Sequence, residues 1–227
     1  MSPALGAVVF DLDDTLIATR RLYTEAYLRV LEPHRGRLSQ AELAALQPGP
    51  ETQFIPVVIA AEKAAESLEQ FYCCYEALHP HAFDGLYPGV PEMLAAIDAA
   101  GIRMAIFTGK SRRAWLISSR HVQLPGVSAF VFGDEIDRHK PAPDGILKAL
   151  EALGCPPERA AYVGDSPLDI AAAKAAGVLP VAALWSRHGA DRDAFAKAAL
   201  HEGGMAFGSP LELAGWLTRP DDGPTSA

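Results

Sequence analysis

The stretch Val8-Val9-Phe10-Asp11-Leu12-Asp13-Asp14-Thr15-Leu16 decides how the rest of the chain is read. Val8, Val9 and Phe10 form the short apolar run expected of a strand buried on both faces inside a parallel sheet. Three carboxylates then arrive within four residues, where that strand should end. Buried acids are costly unless paired, hydrogen-bonded or bound to a metal. In open α/β sheets, ligands bind at the carboxyl ends of strands. The run therefore predicts a site for a hard cation and an anionic substrate.

From Gly85 onward strand and helix signals alternate. Strands are predicted at 103–108, 129–133, 161–165 and 181–185, with a short last strand at 205–207. Helices are predicted over 111–120 and 144–153, the second stopped by Gly154, then up to Gly177 and finally to about Leu217. This alternation implies βαβ units around a parallel sheet. Between Ala18 and Asp84 no strand signal appears. Tyr23, Tyr27, Val30 and Leu31 share one helical face, and Leu68, Phe71, Tyr72, Tyr75 and Leu78 form a second stripe. Ser39 and Glu42 make a capping box, and Pro48-Gly49-Pro50 breaks the helix that it starts. The expectation is a doubly wound α/β core, residues 1–18 and 85–227, carrying an all-helical cap at 19–84.

At 227 residues the chain can bury one ample core and a smaller accessory domain. The net charge of -8 argues against a nucleic-acid backbone or an anionic membrane as partner. Cys73, Cys74 and Cys155 form no metal-type pair and read as free thiols of a reducing compartment. The first residues, Met1 to Gly6, have neither the basic nor the apolar region of a signal peptide, and no apolar stretch is long enough to span a bilayer. A cytoplasmic protein is expected, with a frayed tail from Arg219 to Ala227.

Polar residues stand at the ends of the α/β elements: Asp11 and Asp13, Thr108, Lys140 in His139-Lys140-Pro141-Ala142-Pro143, and Asp165 with Asp169 in Gly164-Asp165-Ser166-Pro167-Leu168-Asp169. With these four motifs in this order, the chain resembles the haloacid dehalogenase superfamily, in the branch with a helical cap after the first motif. The DxDxT signature is Asp11 to Thr15, the second motif closes on Thr108, the third supplies Lys140, and GDxxxD is Gly164 to Asp169. The second Asp, Asp13, is the mark of phosphatases and phosphomutases in that superfamily. The resemblance therefore implies phosphoryl transfer rather than carbon–halogen cleavage, and among relatives it is most like phosphoglycolate, sugar-phosphate and nucleotide phosphatases. Asp14 departs from the pattern, since many relatives have Gly there. It reads as a turn or cap residue.

The residue types suit that chemistry. A carboxylate can attack phosphorus and split hydrolysis into formation and breakdown of an acyl phosphate; Asp11, nearest the strand end, is the candidate. Asp13 can act as general acid to the leaving alcohol and then as base for water. Magnesium prefers carboxylates, water and phosphate oxygens, and Asp11, Asp165 and Asp169 are the candidate carboxylate ligands. By resemblance, the main-chain carbonyl of Asp13 completes the protein ligands. Thr108, the Gly109 amide and Lys140 can stabilise the transferring phosphoryl group.

Plainer roles stand beside these. Thr108 and Asp169 can each cap the helix that follows, and Ser166 is expected to hydrogen-bond locally. Lys110, Ser111 and Arg112 read equally as substrate-facing or as solvated helix-start residues. Arg187 and His188 lie at the same end of the sheet as the acids. In the cap, Arg20, Arg21, His79 and His81 read first as surface or packing residues, and the Tyr and Phe stripe as core. The expected partner is a small phosphorylated metabolite, acted on by a monomer or homodimer. The nearest alternative is a phosphomutase; a phospho-accepting signalling receiver and an inactive binding relative are further ones.

Overall fold

A computed structural model describes residues 5–219. Met1 to Ala4 and the tail beyond Arg219 lie outside the described residues. The opening apolar run forms β1 (Ala7–Phe10), whose four residues are all buried. It is followed by α1 (Arg20–Arg35), α2 (Gln40–Ala45), α3 (Glu51–Val58) and α4 (Ala61–Ala82). Then come α5 (Val90–Ala99), β2 (Arg103–Phe107), α6 (Arg112–Ser118), β3 (Val127–Val131), α7 (Asp144–Leu153) and β4 (Ala160–Gly164). The chain closes with α8 (Pro167–Ala176), β5 (Leu179–Ala183), α9 (Gly189–His201), β6 (Met205–Phe207) and α10 (Pro210–Leu217).

The sheet is parallel throughout, in the order β3-β2-β1-β4-β5-β6. Alternation along β1 sends Val8 and Phe10 to one face and Ala7 and Val9 to the other. The first face packs on α5 and α10 through Met93, Ile97 and Leu213. The second packs on α7 and α8 through Ile146, Leu150 and Ala173. A doubly wound sheet covered on both sides is thus the observed core. Gly154 and Gly177 end α7 and α8 in left-handed conformation, the stop that a side-chain-free residue permits.

Two strands lie two residues earlier than expected. The strand predicted at 181–185 begins earlier, because Pro180 sits inside β5 opposite Tyr162 of β4. Proline normally disqualifies an interior strand, since it donates no hydrogen bond. Here β6 pairs only with 181–183, so position 180 lies at an effective edge. The strand predicted at 129–133 runs instead over 127–131, because the exposed Ser128 cuts Val127 off from the apolar run. Helix α3 carries too short an apolar pattern to be read from the sequence, and it begins directly after Pro48-Gly49-Pro50.

Helices α1 to α4 build a core of their own from Leu22, Tyr27, Leu31, Phe54, Phe71 and Tyr75. Ala114 and Ile117 of α6 join that cluster and seat the insert on the sheet domain. The two connecting strands run side by side: the Ala18 amide donates to Gly85 O at 2.8 Å and the Tyr87 amide to Leu16 O at 3.0 Å. Among the described residues no helix is long and apolar enough to cross a membrane. The three cysteines are free.

Phe71 is fully enclosed and its ring lies 5.0–5.7 Å from those of Tyr23, Tyr27 and Tyr75. Truncation to Ala is expected to cost about 3–5 kcal/mol, to be read from urea unfolding; a loss below 1 kcal/mol, on the order of a surface substitution, contradicts this packing.

Candidate active site

Each central side chain stands where a strand runs out. Asp11 follows β1, Thr108 follows β2 and Asp165 follows β4, so three adjacent strands deliver them to one end of the sheet. Pairing holds those ends level: Phe10 lies beside both Ile106 and Val163, and the Asp11 amide donates to Val163 O at 2.8 Å. The direction of winding reverses across β1, which is where such sheets bind ligands. Lys140, from the loop between β3 and α7, places Nζ 2.5 Å from Asp11 Oδ1 and 2.7 Å from Asp169 Oδ1.

Asp11, Asp165 and Asp169 bring carboxylate oxygens within 4.8 Å of one another. Burial pushes the Asp11 carboxyl up to about 7, against the pull of Lys140, with Asp169 and Asp13 adding repulsion. Burial likewise drives Asp165 well above the usual carboxylate range, helped by the charges of Asp11 and Asp169. A divalent cation among these oxygens relieves both effects, and an all-oxygen donor set matches a hard ion. The residues present therefore fit such an ion.

Asp169 does two jobs. Its Oδ2 accepts from the Ser166 amide at 2.9 Å and from Ser166 Oγ at 2.6 Å, closing a capping box at the start of α8. Its Oδ1 serves Lys140 and, at 3.3 Å, the Tyr162 hydroxyl. The local role expected of Ser166 is the observed one. A Cβ on Gly164 would lie 2.3 Å from Asp169 Cγ, so the motif's glycine makes room for its last aspartate.

Asp13 leads to contacts that the sequence did not reveal. Its Oδ1 accepts from Thr19 Oγ1 at 2.7 Å and pairs with Lys110 Nζ at 2.9 Å. Lys110 is neither a solvated helix-start residue nor free for a substrate. Its side chain is wholly buried, and Nζ donates to Tyr75 Oη at 2.7 Å and Tyr23 Oη at 3.0 Å. Burial lowers the Lys110 ammonium, but Asp13, Tyr75 and Glu51 outweigh it and hold the group above its ordinary value. Glu51, fully buried at the start of α3, accepts from Tyr23 Oη at 3.1 Å and from the Ser111 amide at 3.2 Å. The aromatic stripe of the insert is core, as expected, but its hydroxyls reach into the site.

Thr108 lines the cavity, and its Oγ1 accepts from the Lys110 amide at 3.2 Å. The cap of α6 expected of it belongs instead to Ser111, whose buried Oγ accepts from the Ala114 amide at 3.1 Å. Arg112 is the exposed helix-start residue, bound to Glu135. At Gly109 a Cβ would lie 2.6 Å from Pro50 Cγ. The missing side chain therefore also lets the insert's proline turn close over the loop.

Asp14 has φ of 59°, a left-handed conformation in which Gly or Asp is favoured over other residues. Its carboxylate accepts from Arg20 Nε at 2.8 Å and Tyr87 Oη at 3.3 Å, so it is a turn residue that also anchors α1. Arg187 does not line the cavity. It donates to the Asp165 carbonyl at 2.6 Å, lies 3.9 Å from the Asp165 carboxylate and pairs with Asp191, bracing the strand end. His188 is exposed at the start of α9. Arg21 bonds His81 O and Asp84, His79 is buried against Tyr75 O and Ser118, and His81 is exposed. Of the four basic insert candidates, only Arg20 borders the cavity.

That cavity measures about 670 Å³. Asp11, Asp13, Thr108, Gly109, Lys140, Asp165 and Asp169 line its floor, and Tyr23, Thr24, Gln40, Leu43, Pro50 and Gln53 of the insert wall it opposite.

Residues 8–183 match the family model of the haloacid dehalogenase-like hydrolases. The chain belongs to that family. A phosphorylated carbohydrates phosphatase of Thermotoga maritima is 32% identical over 77% of this chain and 82% of its own length. A phosphoglycolate phosphatase of Rhodospirillum rubrum is 31% identical over 96% of this chain and 92% of its own. Among solved structures, CbbY of Rhodobacter sphaeroides in complex with phosphate superposes with a TM-score of 0.75 at 25% identity, covering 92% of this chain and 96% of that one. As a member of the family the protein is a hydrolase, of the phosphatase kind that these relatives represent.

Replacing Asp13 by Ala strands the buried Lys110 ammonium and is expected to cost about 3–5 kcal/mol of stability. Adding Lys110→Met should restore most of it in urea unfolding; additive losses in the double variant would refute the pairing. Asp14→Gly keeps the left-handed turn and loses an ion pair to the exposed Arg20 together with the long Tyr87 hydrogen bond, so it should change stability by about 1 kcal/mol.

Proposed function

We propose that this hydrolase releases phosphate from small phosphomonoesters through a covalent phosphate on Asp11, with magnesium held by Asp11 and Asp165. The observation that carries the reading is Asp11 itself. It is buried at the end of the central strand, bonded to Lys140 and grouped with Asp165 and Asp169 on the floor of a walled cavity. When bound, the cation supplies charge neutralisation for the acid cluster and for the substrate phosphate, and Asp169 serves it through its hold on Lys140. The main-chain carbonyl of Asp13 is the further proposed ligand.

A carboxylate oxygen of Asp11 attacks phosphorus as the bond to the leaving oxygen breaks. Lys140 pulls Asp11 toward the ionised form and so opposes the burial that favours the protonated acid. Asp13 donates a proton to the leaving oxygen. Water then cleaves the acyl phosphate, and Asp13 takes the proton back. Lys110 and Thr19 hold the Asp13 carboxylate by one oxygen, fixing its direction for both steps. Thr108 Oγ1, the Gly109 amide and Lys140 stabilise charge on the equatorial oxygens. The insert acts as a cap that excludes bulk water, which disfavours polymeric esters. Names of the relatives support phosphoester hydrolysis over the signalling-receiver and inactive-relative readings.

The test is phosphate release from p-nitrophenyl phosphate and a panel of metabolite esters. Asp11→Asn should lower turnover by at least about a thousandfold while leaving thermal unfolding unchanged or raised, because it removes a charge from a repelling cluster. Retained turnover would sink the nucleophile assignment. Chelation with EDTA should stop the reaction and added magnesium restore it; a rate that survives chelation refutes the cofactor. Isomerisation of a hexose phosphate without phosphate release would favour a phosphomutase instead.

A further inference from the structure

The lysines and the arginine that face the cavity all have carboxylate partners. Among the described residues, Arg20, Lys110 and Lys140 are the permanently charged cations that line the cavity, and each is already engaged. Lys140 bonds Asp11 and Asp169, and Lys110 bonds Asp13 from a fully buried position. Arg20 holds Asp14 at 2.8 Å and reaches Asp165 at 3.8 Å. Against them stand Asp11, Asp13, Asp14, Asp165 and Asp169. His139, next to Lys140 in the sequence, also lines the cavity, and its Nδ1 is buried without a hydrogen-bond partner.

Beyond Arg20 the insert offers only neutral groups: Thr24, Gln40, Leu43, Gln53 and the Pro48–Pro50 turn. Gln53 is the informative one. Its Nε2 is buried and without a hydrogen-bond partner, although an unpaired buried amide costs about 1–3 kcal/mol. A substrate oxygen that reached this amide would satisfy it. A hydroxyl meets this wall well, donating to or accepting from an amide. A second carboxylate or phosphate would face carboxylates with no free counter-charge, a juxtaposition that interfaces avoid.

Resting on the phosphatase reading, we propose that the site selects a neutral, hydroxyl-bearing leaving group of the sugar or polyol kind. Gln53 reads its hydroxyls, and esters whose leaving group bears a second anion are excluded. Glycolate, with its carboxylate, falls in the excluded class, as does the phosphate leaving group of pyrophosphate.

The experiment compares kcat/KM at one pH and saturating magnesium for glycerol phosphate and a hexose 6-phosphate against phosphoglycolate, pyrophosphate and a hexose bisphosphate. The neutral pair is expected to lead by about tenfold or more, the size of effect an unpaired charge produces in recognition. Gln53→Leu should raise KM for the hexose 6-phosphate several-fold with kcat less affected, whereas Gln53→Arg should narrow or reverse the preference. Phosphoglycolate or pyrophosphate matching or beating the best neutral ester would overturn the proposal, as would a Gln53→Arg enzyme with the original preference. If no ester releases phosphate, p-nitrophenyl phosphate included, the phosphatase reading itself fails and takes this inference with it. Hydrolysis of p-nitrophenyl phosphate alongside a preference for anionic esters overturns the leaving-group assignment alone.

Discussion

Carboxylates crowd the end of β1, and their mutual repulsion in a buried place is the constraint that the rest of this molecule answers. Two unit charges 4 Å apart interact by about 4 kcal/mol at a dielectric typical of protein surfaces, against a total stability of about 5–15 kcal/mol for a whole domain. Each cation that answers them arrives from a different element. Lys140 comes from the loop before α7, Lys110 from the loop before α6, and Arg20 from the first turn of α1. Neutralising the acids thus also ties the sheet, the loops and the insert together at one point.

The Asp13–Lys110 pair carries this furthest. Lys110 is enclosed by Tyr23 and Tyr75, whose rings lie 4.4 and 4.9 Å from its ammonium, and both tyrosines belong to the core of the insert. Glu51 extends the same chain of bonds to the Ser111 amide at the start of α6. A change in how the insert sits on the sheet would therefore disturb the proposed acid–base residue directly. Close contact of Pro50 with Gly109 adds a steric link between the same two parts. Enclosure has a chemical consequence as well: a dry wall of amides and apolar groups penalises any charge that the site does not pair.

Much of the fold was legible because burial leaves a periodic trace. Fully buried strands such as β1 and β4 appear as apolar runs, and Gly154 and Gly177 mark helix ends that require a left-handed residue. Legibility failed where burial was partial or local rules were broken. The half-exposed start of β3, Pro180 inside β5 and the two-turn α3 each lack the expected signal. In the site, Asp11, Asp13, Thr108, Lys140, Asp165 and Asp169 could be named because strand ends are encoded locally. Glu51, Tyr23, Tyr75 and Gln53 could not, since nothing in their neighbours tells which distant group they meet.

By itself the sequence determined the parallel α/β core, the helical insertion after the first strand and the acids that gather at the strand ends. These follow from short-range rules: apolar periodicity, capping and the cost of burying a carboxylate. Only the tertiary structure decided that Lys110 belongs to Asp13, that Arg187 braces Asp165 and that Asp169 both caps α8 and holds Lys140. It also decided that, Arg20 apart, the insert residues that wall the cavity are uncharged. Those outcomes depend on which side chains meet across long separations, such as the 35 positions between Lys110 and Tyr75, and packing geometry alone sets them.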